Sequence, residues 1–204
     1  MTGPRNPSPE RWTAYDADAV TVARSLLGQR LVRLEGGHRL SGIIVETEAY
    51  LGADDRAAHT YGGRRTARNE SMYLAGGHAY VYFIYGMHYC LNAVCGRAGE
   101  GTAVLLRALA PEEGLEIMRT RRPAARRDRE LCSGPARLTA ALNIDRALDG
   151  IDLRTHPQLW IEPAAPVGEG RIRSRPRIGV ASAGSWAEKP LRFLIDGCRH
   201  VSRP

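Results

Sequence analysis

Two pairs of apolar segments, each folded back through a short glycine-containing turn, constrain the fold of this chain most. The segments are residues 29–34 and 39–47, and residues 78–85 and 88–94. Glu35-Gly36-Gly37 joins the first pair and Gly86-Met87 joins the second, which puts Tyr85 near the tip of the second hairpin. Short turns of this kind connect neighbouring antiparallel strands. The sequence therefore predicts an antiparallel sheet with an aromatic side chain at one hairpin tip.

Helical segments interrupt the strands at irregular intervals. Asp16 or Asp18 caps a predicted helix that ends at Gly28, Pro111-Glu112-Glu113 opens a second that runs to about residue 121, and Ser133-Gly134-Pro135 caps a third that reaches residue 142. Further strands are predicted over residues 104–108, 159–162, 171–178 and 191–195. This order predicts the α+β class rather than a doubly wound sheet. Residues 1–15 are predicted to form a flexible N-terminal tail and residues 16–204 a single domain.

The charge of the chain predicts a polyanionic partner. Its 29 Lys and Arg against 22 Asp and Glu give a net charge of +7, and Lys189 is the only lysine. The planar guanidinium of arginine suits phosphate recognition, although the base composition of the genome explains the arginine content equally well. Charge alone does not distinguish a nucleic acid from an acidic membrane surface. The apolar runs fall short of the ~20 residues of a membrane helix, so we expect a soluble protein without a membrane partner.

The cysteines predict neither a disulfide nor a metal site. They form no CxxC pair and no Cys/His pattern with zinc-ligand spacing, which fits a reducing compartment. The first ten residues, MTGPRNPSPE, lack the apolar core of a secretory signal. We therefore expect a cytoplasmic protein that uses no metal and no cofactor.

The strand that ends in VETEAY carries two carboxylates on one face. Glu46 and Glu48 are two positions apart and project to the same side. Taken alone, this pattern is more typical of a solvated sheet face, since exposed carboxylates are common. The spacing does not say which of the two would be catalytic. Tyr50 and a glycine-rich loop with His59 follow, and this loop also carries Arg64, Arg65 and Arg68. An acid beside an aromatic residue and a basic loop favours a functional site.

Tyrosines are concentrated between residues 73 and 89, where five of the eight in the chain occur. Tyr80 and Tyr82 are predicted to share one face of a strand. Aromatic residues at alternate positions are common in sheet cores, but tyrosine rings also stack on nucleobases. Their clustering favours the stacking platform.

Four arginines alternate with other residues over positions 171–178 and are predicted to share one strand face. They are Arg171, Arg173, Arg175 and Arg177. A phosphate-contacting strip and a solvated basic edge that blocks strand pairing explain them equally well.

Six sequence motifs occur in one order along the chain. They are VETEAYLGADDRAAH, RN..M, YVYFIYGMHYCLN, VLLRAL.P.EGLE.MR, LCSGPARL and IGV..AG.WA..PLRF. Together they resemble the alkyladenine (3-methyladenine) DNA glycosylase family. The resemblance covers most of residues 20–197, but residues 121–130 and 159–170 match none of the family's motifs. It implies a single compact α+β domain around a curved antiparallel β-sheet, with flanking helices and a protruding β-hairpin.

The resemblance implies a monofunctional enzyme of base excision repair. Such an enzyme flips alkylated or deaminated purines (3-methyladenine, 7-methylguanine, hypoxanthine, ethenoadenine) out of double-stranded DNA and hydrolyses the N-glycosidic bond, leaving an abasic site. The resemblance assigns the general base to Glu48 rather than Glu46, with Arg107 helping to hold the attacking water. We expect a monomer that associates with the nucleoid through DNA. Two alternatives remain, a non-catalytic nucleic-acid-binding module and a bifunctional lyase that uses Lys189.

The resemblance also implies how the damaged base is bound. Tyr50 and His59 would form one wall of the base pocket, and Tyr82 would stack on the opposite face. Asn92 would lie on the floor of the pocket. Tyr85, at the hairpin tip, would be the wedge that fills the gap left by the flipped nucleotide.

Overall fold

An antiparallel sheet of eight strands forms the centre of the structure, a computed structural model that describes residues 10–203. The strands are β1 (Arg30–Glu35), β2 (His38–Tyr50), β3 (Ala79–Ile84), β4 (His88–Cys95), β5 (Thr102–Glu113), β6 (Leu159–Glu162), β7 (Ile172–Arg175) and β8 (Arg192–Ile195). Six strands lie in the order β3-β4-β5-β2-β1-β6, while β8 pairs with β2 and β7. The predicted α+β class, with one compact domain, a curved antiparallel sheet and a protruding hairpin, is confirmed.

The longest strand, β2, connects the parts of the sheet. It pairs with β1 through residues 38–43, with β8 through residues 46–48, and with β5 along most of its length. The pairing with β5 shifts register twice between Ile44 and Thr47, so that Arg107 on β5 has no partner on β2. Irregularities of this kind redirect side chains. Here they let Arg107 reach both Glu46 and Glu48.

Three short α-helices cover the sheet, α1 (Ala19–Ser25), α2 (Leu115–Arg121) and α3 (Pro135–Leu142). Of the two predicted caps, Asp16 and Asp18, the structure uses Asp18, whose carboxylate accepts hydrogen bonds from the N–H groups of Val20 and Thr21 at 2.9 and 3.0 Å. α1 packs on β2, while α3 packs on β4 and β5. Within residues 10–203, no helix has the length and apolar character to cross a membrane.

Two predicted boundaries are wrong. Trp12 and Tyr15 lie in the core, 8% and 0% exposed, so residues 10–15 are part of the domain rather than of a tail. These two aromatic rings pack edge to face with centroids 4.5 Å apart, and burying them outweighs the polar character of their neighbours. The rest of the predicted tail, residues 1–9, lies outside the described residues. Pro111-Glu112-Glu113 ends β5 instead of opening a helix, because it pairs with Ser41 and Gly42 of β2.

Candidate active site

A cavity of about 320 Å³ opens between the β3–β4 hairpin, the loop after β2 and residues 178–180. This volume lies at the lower end of the ~300–1,000 Å³ that is typical of small-molecule pockets. Six of the seven residues that the resemblance identified line it, namely Tyr50, His59, Tyr82, Tyr85, Asn92 and Arg107. The seventh, Glu48, is fully buried and lies behind Tyr50 and Ile178.

Glu48 is held by three donors, each of which belongs to a residue that lines the cavity. Its Oε2 accepts a hydrogen bond from the Tyr50 hydroxyl at 2.9 Å. Its Oε1 accepts one from the N–H of Ile178 at 2.7 Å and lies 3.2 Å from Nη1 of Arg107. Burial raises the pKa of Glu48, although Arg107 opposes the shift. A carboxylate with a raised pKa beside a cavity is suited to accept a proton.

The neighbouring carboxylate, Glu46, has a different environment although it is also fully buried. Its oxygens accept from Arg107 Nε at 3.2 Å and Arg192 Nη1 at 2.9 Å, and from the Ser202 N–H and hydroxyl at 2.6 and 2.9 Å. Glu46 is not among the cavity residues. The solvated-face alternative is therefore wrong for both carboxylates, and the geometry separates them as their spacing could not.

Aromatic rings form the walls of the cavity. The rings of His59 and Tyr82 meet edge to face with centroids 4.6 Å apart, and Nδ1 of His59 is 2.8 Å from the Tyr80 hydroxyl. Burial lowers the pKa of His59, and the charges of Arg68 and Arg64 lower it further. These effects all favour the neutral form of the ring. Tyr80 is 1% exposed and belongs to a small core cluster, but it also lines the cavity. The core interpretation therefore holds for Tyr80, and stacking on a nucleobase stays a prediction.

Tyr85 is the most exposed large apolar side chain of the described residues, at 77%. It adopts φ of +55°, and Gly86 follows with +68°. Two positive φ values are typical of the type I′ hairpin turn. The turn is therefore centred on Tyr85-Gly86, one residue earlier than predicted. A bulky residue in this region carries ~1–3 kcal/mol of strain, which the fold retains at an exposed aromatic tip.

Asn92 lies on β4 directly opposite Tyr80 of β3. Its Nδ2 donates a hydrogen bond to the carbonyl of Tyr80 at 3.0 Å, and its side chain is buried. Asn92 therefore both satisfies a backbone carbonyl and faces the cavity.

Arg177 is a support of the site that sequence reasoning missed, because the alternation placed it on one strand face with Arg171, Arg173 and Arg175, either as a phosphate-contacting strip or as a solvated basic edge. Its guanidinium is fully buried and pairs with Asp55, at 2.5 Å from Nη1 and 2.8 Å from Nη2. It also lies 4.7 Å from the centre of the Tyr50 ring. The prediction that all four arginines share one strand face is wrong, since β7 covers only Ile172–Arg175 and Arg177 is buried. No pattern within residues 171–178 could show that Arg177 meets a carboxylate 122 positions earlier.

The chain is similar to known proteins over most of its length. Residues 13–199 match the family model described as methylpurine-DNA glycosylase. Proteins named DNA-3-methyladenine glycosylase from Mus musculus and Homo sapiens are each 49% identical over 199 residues, 92% of this chain. The chain spans only 59% and 66% of their lengths. A Burkholderia lata protein named putative 3-methyladenine DNA glycosylase is 47% identical over 93% of this chain and 89% of its own.

Proposed function

The chain belongs to the methylpurine-DNA glycosylase family, and from this premise we propose that it hydrolyses the N-glycosidic bond of damaged purines in duplex DNA. The observation that carries the proposal is the buried Glu48, whose pKa burial raises, directly behind an aromatic-walled cavity. We further propose that it acts as a monomer in base excision repair. The net charge of +7 supports a partner with a phosphate backbone.

Base flipping brings the damaged nucleotide into the cavity. Extruding a nucleotide costs a few kcal/mol, least where damage has already weakened its pairing. The exposed ring of Tyr85 fills the gap in the stack, and the rings of Tyr50, His59 and Tyr82 enclose the extruded purine. Asn92 contacts its edge. The stacking of these rings offsets the cost of extrusion.

Glu48 activates the water that cleaves the bond. An ionised carboxylate has about four lone-pair sites. Hydrogen bonds from Ile178 and Tyr50 use two of them, and Arg107 forms an ion pair with Oε1. A remaining lone pair accepts a proton from the water, whose oxygen attacks the anomeric carbon of the sugar. The glycosidic electron pair leaves with the purine, while the carboxylate stabilises the positive charge that develops on the sugar. A cationic alkylpurine leaves without protonation, whereas hypoxanthine needs additional help.

The direct test is to incubate the protein with methylated duplex DNA and to identify the released bases. We expect free alkylpurines and abasic sites, activity that persists in EDTA, and no adduct after borohydride. Lesion binding without base release would instead support the binding module. A trapped adduct would support a lyase that uses Lys189, whose Nζ lies over the Trp186 ring 3.2 Å from its centre.

We expect Asn92→Ser to raise the release of guanine relative to hypoxanthine. Guanine carries a 2-amino group, and a pocket without room or an acceptor for it excludes guanine through a clash and an unpaired donor. Serine removes bulk and opens that space. The ratio of the two release rates, measured on one folded preparation, is independent of the amount of active protein. An unchanged ratio would mean that Asn92 serves only to bind the Tyr80 carbonyl.

Tyr85→Ala is expected to weaken binding to DNA with an abasic site more than binding to undamaged DNA. Only the extruded state has a gap to fill, and base stacking is worth ~1–3 kcal/mol, or about 5- to 150-fold in the dissociation constant. Titrations of both DNAs measure this difference. The control is Tyr61→Ala, since Tyr61 is an exposed tyrosine outside the hairpin. Equal losses on both DNAs would contradict the wedge.

A further inference from the structure

Glu46 has no part in the proposed reaction, yet it accepts more hydrogen bonds than Glu48. Four donors from three distant segments converge on its carboxylate, which is fully buried. Ser202 supplies two of them although it lies 156 positions away in the chain. A buried charge with this many partners is costly to desolvate, so its retention calls for a reason.

Ser202 contacts both Glu46 and Arg107. Its N–H and hydroxyl donate to Glu46, and its Oγ accepts a hydrogen bond from Nη2 of Arg107 at 3.3 Å. Arg192 fixes this segment in turn. Its Nη1 lies 2.9 Å from Glu46 and 2.8 Å from the carbonyl of Arg203, and its Nε donates to the carbonyl of Pro176 at 2.9 Å.

We propose that Glu46 and Ser202 are positioning residues that hold the guanidinium of Arg107 in the orientation in which Nη1 faces Glu48. The three nitrogens of a guanidinium lie in one rigid plane. Glu46 fixes Nε and Ser202 fixes Nη2, and these two contacts determine where Nη1 points. Nη1 lies 3.2 Å from Oε1 of Glu48. The inference rests on the proposed function, in which Glu48 activates the water.

Glu46 also balances the charge around Glu48. Two buried arginines, Arg107 and Arg192, face the two carboxylates. The negative charge of Glu46 adds to burial in raising the pKa of Glu48, whereas Arg107 lowers it. Without the charge of Glu46, Arg107 would act on Glu48 alone, and the pKa of Glu48 would fall. The titratable and charged groups around Glu48 are Glu46 and Tyr50 of β2, Tyr82 of β3, Cys90 of β4, Arg107 of β5, Arg192 of β8 and Arg177.

The first variant, Ser202→Ala, separates orientation from charge. It removes the hydroxyl that contacts Glu46 and Arg107 but keeps every charge. We expect the single-turnover rate of base release to fall by roughly ten- to a hundredfold, as small misplacements in active sites do, with no movement of the acid limb of the pH profile. Ser202→Thr retains the hydroxyl and restores most of the rate. A full rate for Ser202→Ala would overturn the proposal.

The second variant, Glu46→Gln, removes the charge and keeps the shape. We expect a lower plateau rate and an acid limb displaced to lower pH, because the base must be ionised and the pKa of Glu48 falls when a negative neighbour is lost. A purely structural role would reduce the amount of folded protein and leave the limb where it is. An unmoved limb in folded Glu46→Gln would therefore overturn the role of the charge.

A readout that does not depend on activity completes the test. Hydrogen exchange at Nε–H of Arg107, followed by NMR of the full chain, should be slow in the wild type and faster in both Ser202→Ala and Glu46→Gln. Unchanged exchange in both variants would overturn the positioning of Arg107 even if base release were slowed. An inactive wild type with slow exchange that the variants accelerate would instead contradict the proposed function and leave the positioning supported.

Discussion

Glu48→Gln is expected to retain lesion binding and to release base roughly 100- to 10,000-fold more slowly than the wild type, the range that general base catalysis contributes. The amide preserves the shape of the side chain, and its oxygen can still accept from Tyr50 or Ile178. It cannot take a proton from water, and it carries no charge to stabilise the sugar. The loss should therefore appear in the single-turnover rate and not in the affinity for lesion-containing DNA.

The pH profile gives this prediction a second measurement. Burial raises the pKa of Glu48. As the pH is lowered, wild-type activity should therefore begin to fall at a pH above the usual pKa of a glutamate. The residual activity of Glu48→Gln should lack this acid limb. Near-normal base release by the variant would contradict the mechanism. Glu46→Gln is the comparison variant. We expect it to lose much less activity than Glu48→Gln and to retain an acid limb, and a larger loss would mean that the wrong carboxylate had been chosen.

The parts of the fold that depend on local chemistry could be predicted from the sequence. The glycine turn at residues 35–37, the Asp18 cap and the Gly134-Pro135 helix start are each determined by neighbouring residues. Pro111 shows the limit of such reasoning. Its helix-start pattern is overridden by pairing with Gly42, a contact made across the sheet. Local propensity is a weak prior when tertiary pairing competes with it.

The residues of the candidate site could be predicted only where they lie in sequence motifs typical of the family. Alternation showed that Glu46 and Glu48 share a face, but it could not separate them. The separation depends on Ser202 and on the register shift at Arg107, and both are long-range features. The roles of the cavity residues remain predictions that rest on the family resemblance. Arg177 was misplaced for the same reason, since only the folded chain brings it to Asp55.

The buried Asp55–Arg177 ion pair gives the largest expected effect on the stability of the fold. Asp55→Asn leaves the Arg177 guanidinium without a counter-charge at a position where both side chains are 0% exposed. Breaking a buried ion pair from one side costs ~3–5 kcal/mol, and we expect a loss of this size in the free energy of unfolding from urea titrations. The matched control is Asp196→Asn. Its pair with Arg173 is about half exposed, and exposed pairs contribute ~0–1 kcal/mol.

The double variant Asp55→Asn/Arg177→Met tests whether the uncompensated charge is the cause. Methionine fills part of the arginine volume without a charge, so the double variant should be more stable than Asp55→Asn alone. The activity of the double variant should not recover together with its stability. Arg177 precedes Ile178, whose N–H donates to Glu48, and the Arg177 guanidinium packs over the Tyr50 ring. If Asp55→Asn were no more destabilising than Asp196→Asn, the buried Asp55–Arg177 pair would not stabilise the fold more than an exposed ion pair does.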